Sequence, residues 1–205
     1  ASTLISHGDH AFPVVLDTAN RAVVAAARFG EGRILHVGHE GVMNSHDALV
    51  LNAVHWMSEE APVIGVHADQ SGLGEVLSSY GYTVETRTAT QLAGLDIWVG
   101  NTYADLSDED YAVFQAFIEG GGGVITGGHA WYWAYSNDNA AEDHPGNRML
   151  WGSGLTITHD YSAPGDLPVT QMPDFPRVQA SFALDEMLLH QSGEYPLEMD
   201  MQVLA

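Results

Sequence analysis

From Pro62 onward, short apolar runs closed by glycine or polar turns alternate with segments of helical period, and that alternation admits few folds besides a mostly parallel sheet covered by helices. The units read as strand 63–66, helix 71–80, strand 83–86, strand 95–99, helix 107–119, strand 124–126 and a later strand at 155–158. Gly81 closes the first of these helices, as a C-terminal glycine does. In the second, Ser107 stands at the N-cap, and Asp108, Glu109 and Asp110 place negative charge where the helix dipole favours it. The four glycines Gly120 to Gly123 break it. The opening of the chain differs: 13–16, 22–27 and 33–36 read as three strands joined by short turns, an antiparallel opening to an otherwise parallel sheet. A helix is expected over 45–59, with Ser45 as N-cap and Leu49, Ala53, Trp56 and Met57 on one face. Residues 163–176 carry four prolines and no clear period, which reads as a strap, and 178–190 as a terminal helix.

At 205 residues and 45% hydrophobic content the chain can bury a sizeable core as a single domain. Its net charge of -21 sets 27 acidic residues against six arginines, with no lysine. Such a surface repels phosphate backbones and anionic lipid, so nucleic acid and polybasic membrane docking are excluded as partners. It suits a salty or extracellular setting. The absence of cysteine removes disulfides, thiolate metal sites and a cysteine nucleophile. No apolar run is long enough to insert into a bilayer, and no export signal opens the chain, so we expect a domain excised from a longer protein that supplies its address.

In a parallel α/β sheet ligands bind beyond the carboxyl ends of the strands, and here those ends are polar. Strand 33–36 is followed by His39 and Glu40, strand 95–99 by Asn101, and strand 124–126 by Gly127, Gly128, His129 and Trp131. If the strands are in register, His39, Glu40, Asn101, His129 and Trp131 meet on one rim. Two imidazoles and a carboxylate can hold zinc or run acid–base chemistry, although histidine and glutamate at loop tips also cap helices and bond the backbone. His39 and Glu40 do not begin an H-E-x-x-H helix. Asp9 and His10 form a second candidate, either a base with its orienting partner or a plain turn that sends Phe12 and Pro13 into the core. The third is G-G-G-G-V-I-T-G-G-H-A-W-Y-W, Gly120 to Trp133. Nucleophile-elbow enzymes set a serine or cysteine at this strand-to-helix turn, where the present chain offers Gly127, Gly128 and His129. Trp131, Tyr132 and Trp133 offer either a stacking platform for sugar rings or simply core.

Several segments taken in order carry a family resemblance: G-D-H-A-F-P at Gly8 to Pro13, G-R-I-L-H-V-G-H-E-G at Gly32 to Gly41, the helix Val50 to Trp56, the glycine–tryptophan block, and H-P-G-N-R at His144 to Arg148. Over about residues 6 to 158 the chain resembles the domain that precedes the enhancin-like (peptidase M-60-like) module of secreted bacterial mucinases, accessory colonization factors and vertebrate TRP-channel-associated factors. The resemblance implies a class I glutamine-amidotransferase-like, flavodoxin-related fold in a secreted or cell-surface parent that cleaves O-glycosylated proteins such as mucins. The parent's zinc would sit on an H-E-x-x-H helix that this chain lacks, so no cofactor is expected within it. The amidotransferase cysteine position falls near Gly128 and His129.

Three readings follow. The first is a non-catalytic accessory domain of a secreted zinc metallopeptidase, positioning substrate or packing against neighbouring domains. The second is a carbohydrate or glycopeptide module using Asn101, His129, Trp131, Tyr132 and Trp133. The third is a metal-dependent hydrolase using His39, Glu40 and His129.

Overall fold

The computed structural model describes residues 1–163 and 180–192. In chain order its strands are β1 (Ser2–Ser6), β2 (Ala11–Leu16), β3 (Ala22–Phe29), β4 (Gly32–Val37), β5 (Val63–Val66), β6 (Thr83–Thr86), β7 (Ile97–Asn101), β8 (Gly123–Gly127) and β9 (Leu155–Tyr161). The helices are α1 (Glu40–Asn44), α2 (Asp47–Met57), α3 (Ser71–Ser79), α4 (Asp108–Glu119), α5 (Ala140–Asp143), α6 (Pro145–Met149) and α7 (Ala180–Gln191). Apart from Ala163, the expected strap lies outside the described residues, as do residues 178 and 179 of the expected terminal helix.

All the strands join one sheet in the order β6-β5-β7-β8-β4-β3-β1-β9, with β2 also paired to β3. The half from β6 to β4 is parallel, and the half built on β3 is antiparallel. This is the α/β class expected from the alternation of runs. The order β6-β5-β7-β8 reproduces the 2-1-3-4 order of flavodoxin-like sheets. β4, the last strand of the antiparallel opening, completes the parallel half by pairing with β8.

Successive residues of the central strands face opposite sides, so each strand feeds two apolar layers. Leu35, Val37, Ile64, Val66 and Ile125 pack with Met43 of α1, Val50 and Val54 of α2, and Leu73 and Leu77 of α3. Ile34, Trp98 and Val124 face the other way, against Tyr111, Phe114 and Ile118 of α4 and Met149 of α6. At the head of α4 the Ser107 Oγ accepts from the Asp110 amide, with three acidic residues in the first turn, as the sequence predicts. Among the described residues no helix is long and apolar enough to cross a membrane.

Four expectations need correction. The helix read as beginning at Ser45 is two: α1 ends there, Ser45 Oγ donates to the Gly41 carbonyl, and α2 starts after His46, which gives no side-chain cap. Ser45 therefore closes a helix and opens none. The strand read as 95–99 starts at Ile97, because the Leu95 amide is spent on a turn to Leu92 O. The 155–158 strand runs to Tyr161 and lies at the antiparallel edge, paired with β1. β1 itself went unread: no turn signal precedes it, yet it sits between β3 and β9.

Candidate functional site

Strand register builds the site. Val37 of β4 lies opposite Gly127 of β8, so two residues further along each chain His39 arrives beside His129. Their rings stack, with centroids 4.7 Å apart and planes 7° from parallel. His39 is the N-cap of α1, its Nδ1 accepting from the Gly41 amide at 3.0 Å, and Glu40 is the first residue of that helix. The Glu40 Oε2 lies 3.5 Å from His39 Nδ1 and 3.4 Å from His129 Nδ1. The three expected ligands do converge, and they are half-buried.

Tyr103, two residues beyond β7, completes the group. Its hydroxyl donates to Glu40 Oε2 and lies 2.5 Å from His129 Nδ1. A phenol has one proton, so with that proton on Glu40 the His129 Nδ1–H donates to the phenol oxygen, leaving Nε2 with the free lone pair. Burial works against ionising Glu40. The Tyr103 hydrogen bond and the His39 and His129 charges outweigh it and hold the carboxyl below its usual range. Burial lowers the His129 pKa despite the opposing pull of Glu40. Tyr103 is pushed well up by burial and by its bond to Glu40. At neutral pH the group is one carboxylate, a neutral His129 and a neutral phenol.

Glycine is required at the turn after β8. A Cβ on Gly127 would lie 2.7 Å from the Glu40 Cα, and one on Gly128 would lie 1.9 Å from the Thr102 Oγ1. The close approach of the β4, β7 and β8 exits thus leaves no room for a side chain at the elbow position. Behind the turn sit two fully buried histidines. His36, bonded through Nδ1 to Thr126 Oγ1, is lowered by burial to about 3, and His144 is lowered by burial to about 4.

The aromatic block leaves this turn toward solvent. Trp131 stacks on His129 at 5.0 Å and meets Tyr132, Tyr135 and Tyr161 edge-on. Ser2 Oγ accepts from the amides of Ala130 and Trp131, which fixes where the block begins. Tyr103, His129, Tyr132 and Trp133 line a cavity of about 400 Å³. A second, of about 420 Å³, shares Tyr103, Trp133 and Asn137 with it and ends at Arg148. Together they form one furrow with aromatic walls near the cluster and a charged end, where Arg148 meets Asp105 and Asp108 and lies over the Tyr111 ring.

Asn101 does not join the cluster. Its amide donates to Asp69 and its oxygen accepts from the Tyr103 amide, so it orients Tyr103 from outside. Trp133 is a furrow wall set edge-on to His144, while Tyr132 is 67% exposed. Asp9 and His10 are exposed in the bend between β1 and β2, and Phe12 packs edge-on against Trp56, which is the plain-turn reading. Sequence reasoning missed Tyr103 by stopping at Asn101, two residues short along the same strand exit. It missed Ser2 because β1 carries no signal of its own.

A family model described as "TRPM8, N-terminal domain" (TCAF_N) matches residues 1–172. The TRPM8 channel-associated factor homolog of Xenopus laevis is 33% identical over 193 residues, covering 91% of this chain and 21% of that protein. TRPM8 channel-associated factor 2 of Bos taurus is 36% identical over 174 residues, covering 82% of the chain and 18% of its own length. Among solved structures, the IMPa metallopeptidase in complex with T-antigen superposes with a TM-score of 0.57 at 16% identity, covering 77% of this chain and 19% of that one. The same protein from Pseudomonas aeruginosa in complex with an O-glycopeptide gives the same values. At that identity the likeness is one of fold. The chain spans about a fifth of the length of these relatives and neighbours.

Proposed function

Because the chain belongs to the TRPM8 channel-associated factor N-terminal domain family, we propose that it serves a larger protein as a non-catalytic accessory domain whose aromatic furrow holds carbohydrate or glycopeptide. One observation carries the reading: the elbow turn that would present a nucleophile is closed by the Gly128–Thr102 contact, while the cleft beside it stays open and walled by Tyr103, Tyr132 and Trp133. An amidotransferase-like scaffold that lost its reactive side chain and kept its ligand cleft accounts for both. Aromatic faces beside polar edges suit sugar rings, whose C–H faces stack while their hydroxyls bond outward.

The parent in this proposal is a secreted or cell-surface peptidase-like protein acting on O-glycosylated proteins. The fold neighbours solved with T-antigen and with an O-glycopeptide support that reading. A channel partner for the parent is the second reading, supported by the names of relatives that share about a third of the matched residues. In both, neighbouring domains of the parent are partners of this one.

Titrating the chain with the T-antigen disaccharide while following tryptophan fluorescence tests the proposal. Saturable quenching is expected, weakened about tenfold or more by Trp133→Ala, the loss of one stacking wall. The chain alone should leave mucin intact. A flat titration, or cleavage of mucin by the chain, overturns the proposal.

A further inference from the structure

The ends of β4 and β8 bring together three donors of the kind that transition metals take, and Tyr103 shares their space. In a tetrahedral zinc site with bonds of about 2.0–2.1 Å, neighbouring donors stand about 3.3–3.4 Å apart. Glu40 Oε2 stands 3.5 Å from His39 Nδ1 and 3.4 Å from His129 Nδ1. Two edges of the tetrahedron are thus already at length. For the third, one ring nitrogen of each histidine and a Glu40 oxygen all lie within 4.8 Å of one another, so a tilt of the stacked rings toward each other brings the imidazoles to length.

We infer that His39, Glu40 and His129 bind one zinc-class dication, with Tyr103, whose hydroxyl bridges Glu40 and His129, as the group that yields its place to the ion. The donor set decides the class of ion. Two imidazoles and one carboxylate suit zinc and its first-row neighbours, whereas magnesium and calcium need oxygen-rich cages. Access is open, because His129 also lines the 400 Å³ cavity. The surroundings hold the ligands in place: Trp131 stacks on the His129 ring, and Asn101 fixes the backbone of Tyr103. The net charge of -21 raises the local concentration of any dication.

Binding has a defined proton and hydrogen-bond balance. The ion replaces the proton on His129 Nδ1, which leaves to solvent or shifts to Nε2. Glu40 already bears its negative charge. His39 Nδ1 gives up the Gly41 amide, so the first turn of α1 loosens as the ion enters. The alternative is a cluster held by the Tyr103 phenol alone, in which Glu40 and His129 are only hydrogen-bond partners.

Equilibrium dialysis of the full chain against zinc chloride, with metal analysis, tells the two apart, and cobalt(II) absorption reports the geometry. One ion per chain is expected, with a tetrahedral cobalt spectrum and no displacement by a tenfold excess of magnesium or calcium, about what the donor set dictates. His129→Ala and Glu40→Gln should each weaken binding by about tenfold or more. Tyr103→Phe, which breaks the hydrogen-bonded cluster and spares the three ligands, should leave it within about threefold. The exposed His55→Ala should change nothing. Glu40→Gln keeps the ligand-loss arm readable should His129→Ala fail to fold by circular dichroism. Binding that is absent, or that survives His129→Ala and Glu40→Gln in folded protein, overturns the inference. The site goes beyond the glycan reading, and a flat sugar titration leaves the dialysis result intact.

Discussion

His36 and His144 sit behind the Gly128 turn, fully buried, with pKa values of about 3 and about 4. An unfolded histidine titrates near pH 6.5, so as pH falls the unfolded chain takes up these two protons first. The sign is therefore fixed: the stability tied to their neutrality is full above about pH 6.5 and is lost as pH falls toward about 4 and then about 3. Each contributes a slope of about 1.4 kcal/mol per pH unit inside its window. Urea melts between about pH 6.5 and about pH 4.5 should show the loss, and His144→Asn should flatten it by about one histidine's slope. Asparagine can still accept from the Gly146 amide, as His144 Nδ1 does at 3.2 Å, so the cap of α6 survives while the titration goes. An unchanged slope in that variant would show that His144 is not neutral in the fold.

The element that ties the site together is β1, a strand distant in sequence from every residue it serves. Its Ser2 amide donates to the Gly38 carbonyl, at the exit of β4, and its Ser2 Oγ accepts from Ala130 and Trp131, past the exit of β8. One buried residue thus clamps both loops, the one that leads to His39 and the one that carries Trp131. Ser2→Ala leaves two amides without their acceptor, at a cost of about 1–3 kcal/mol. That loss should appear in denaturant melts, together with a weaker near-ultraviolet tryptophan signal from a Trp131 that is no longer held. Full stability in this variant would place the support of the aromatic block elsewhere. The helices that follow the strands act differently. α1 is only five residues long, and its role is to aim Glu40 from its first turn beneath a cap supplied by His39.

At the scale of the whole molecule, 27 acidic groups set against six arginines repel one another in the compact state. Raising ionic strength from about 0.01 M to about 1 M shortens the screening length from about 30 Å to about 3 Å, so the melting temperature should climb with sodium chloride. A flat or falling curve would mean that the carboxylates are already compensated. The alternation of apolar runs and helical segments determined the α/β class. The composition determined what the chain does not contain, a thiol or an H-E-x-x-H helix. The residues after each strand also pointed to His39, Glu40 and His129 as neighbours on one rim, because strand exits are local features that glycine and polarity mark. Only the tertiary structure decided that these exits meet, since the meeting depends on Val37 standing opposite Gly127 across a gap of 90 residues. The same long-range pairing seated Tyr103 between Glu40 and His129, put Thr102 where an elbow side chain would stand, and slid β1 between β3 and β9. Hydrophobic period sets which face of an element is buried, whereas register and strand order come from contacts summed over the whole sheet.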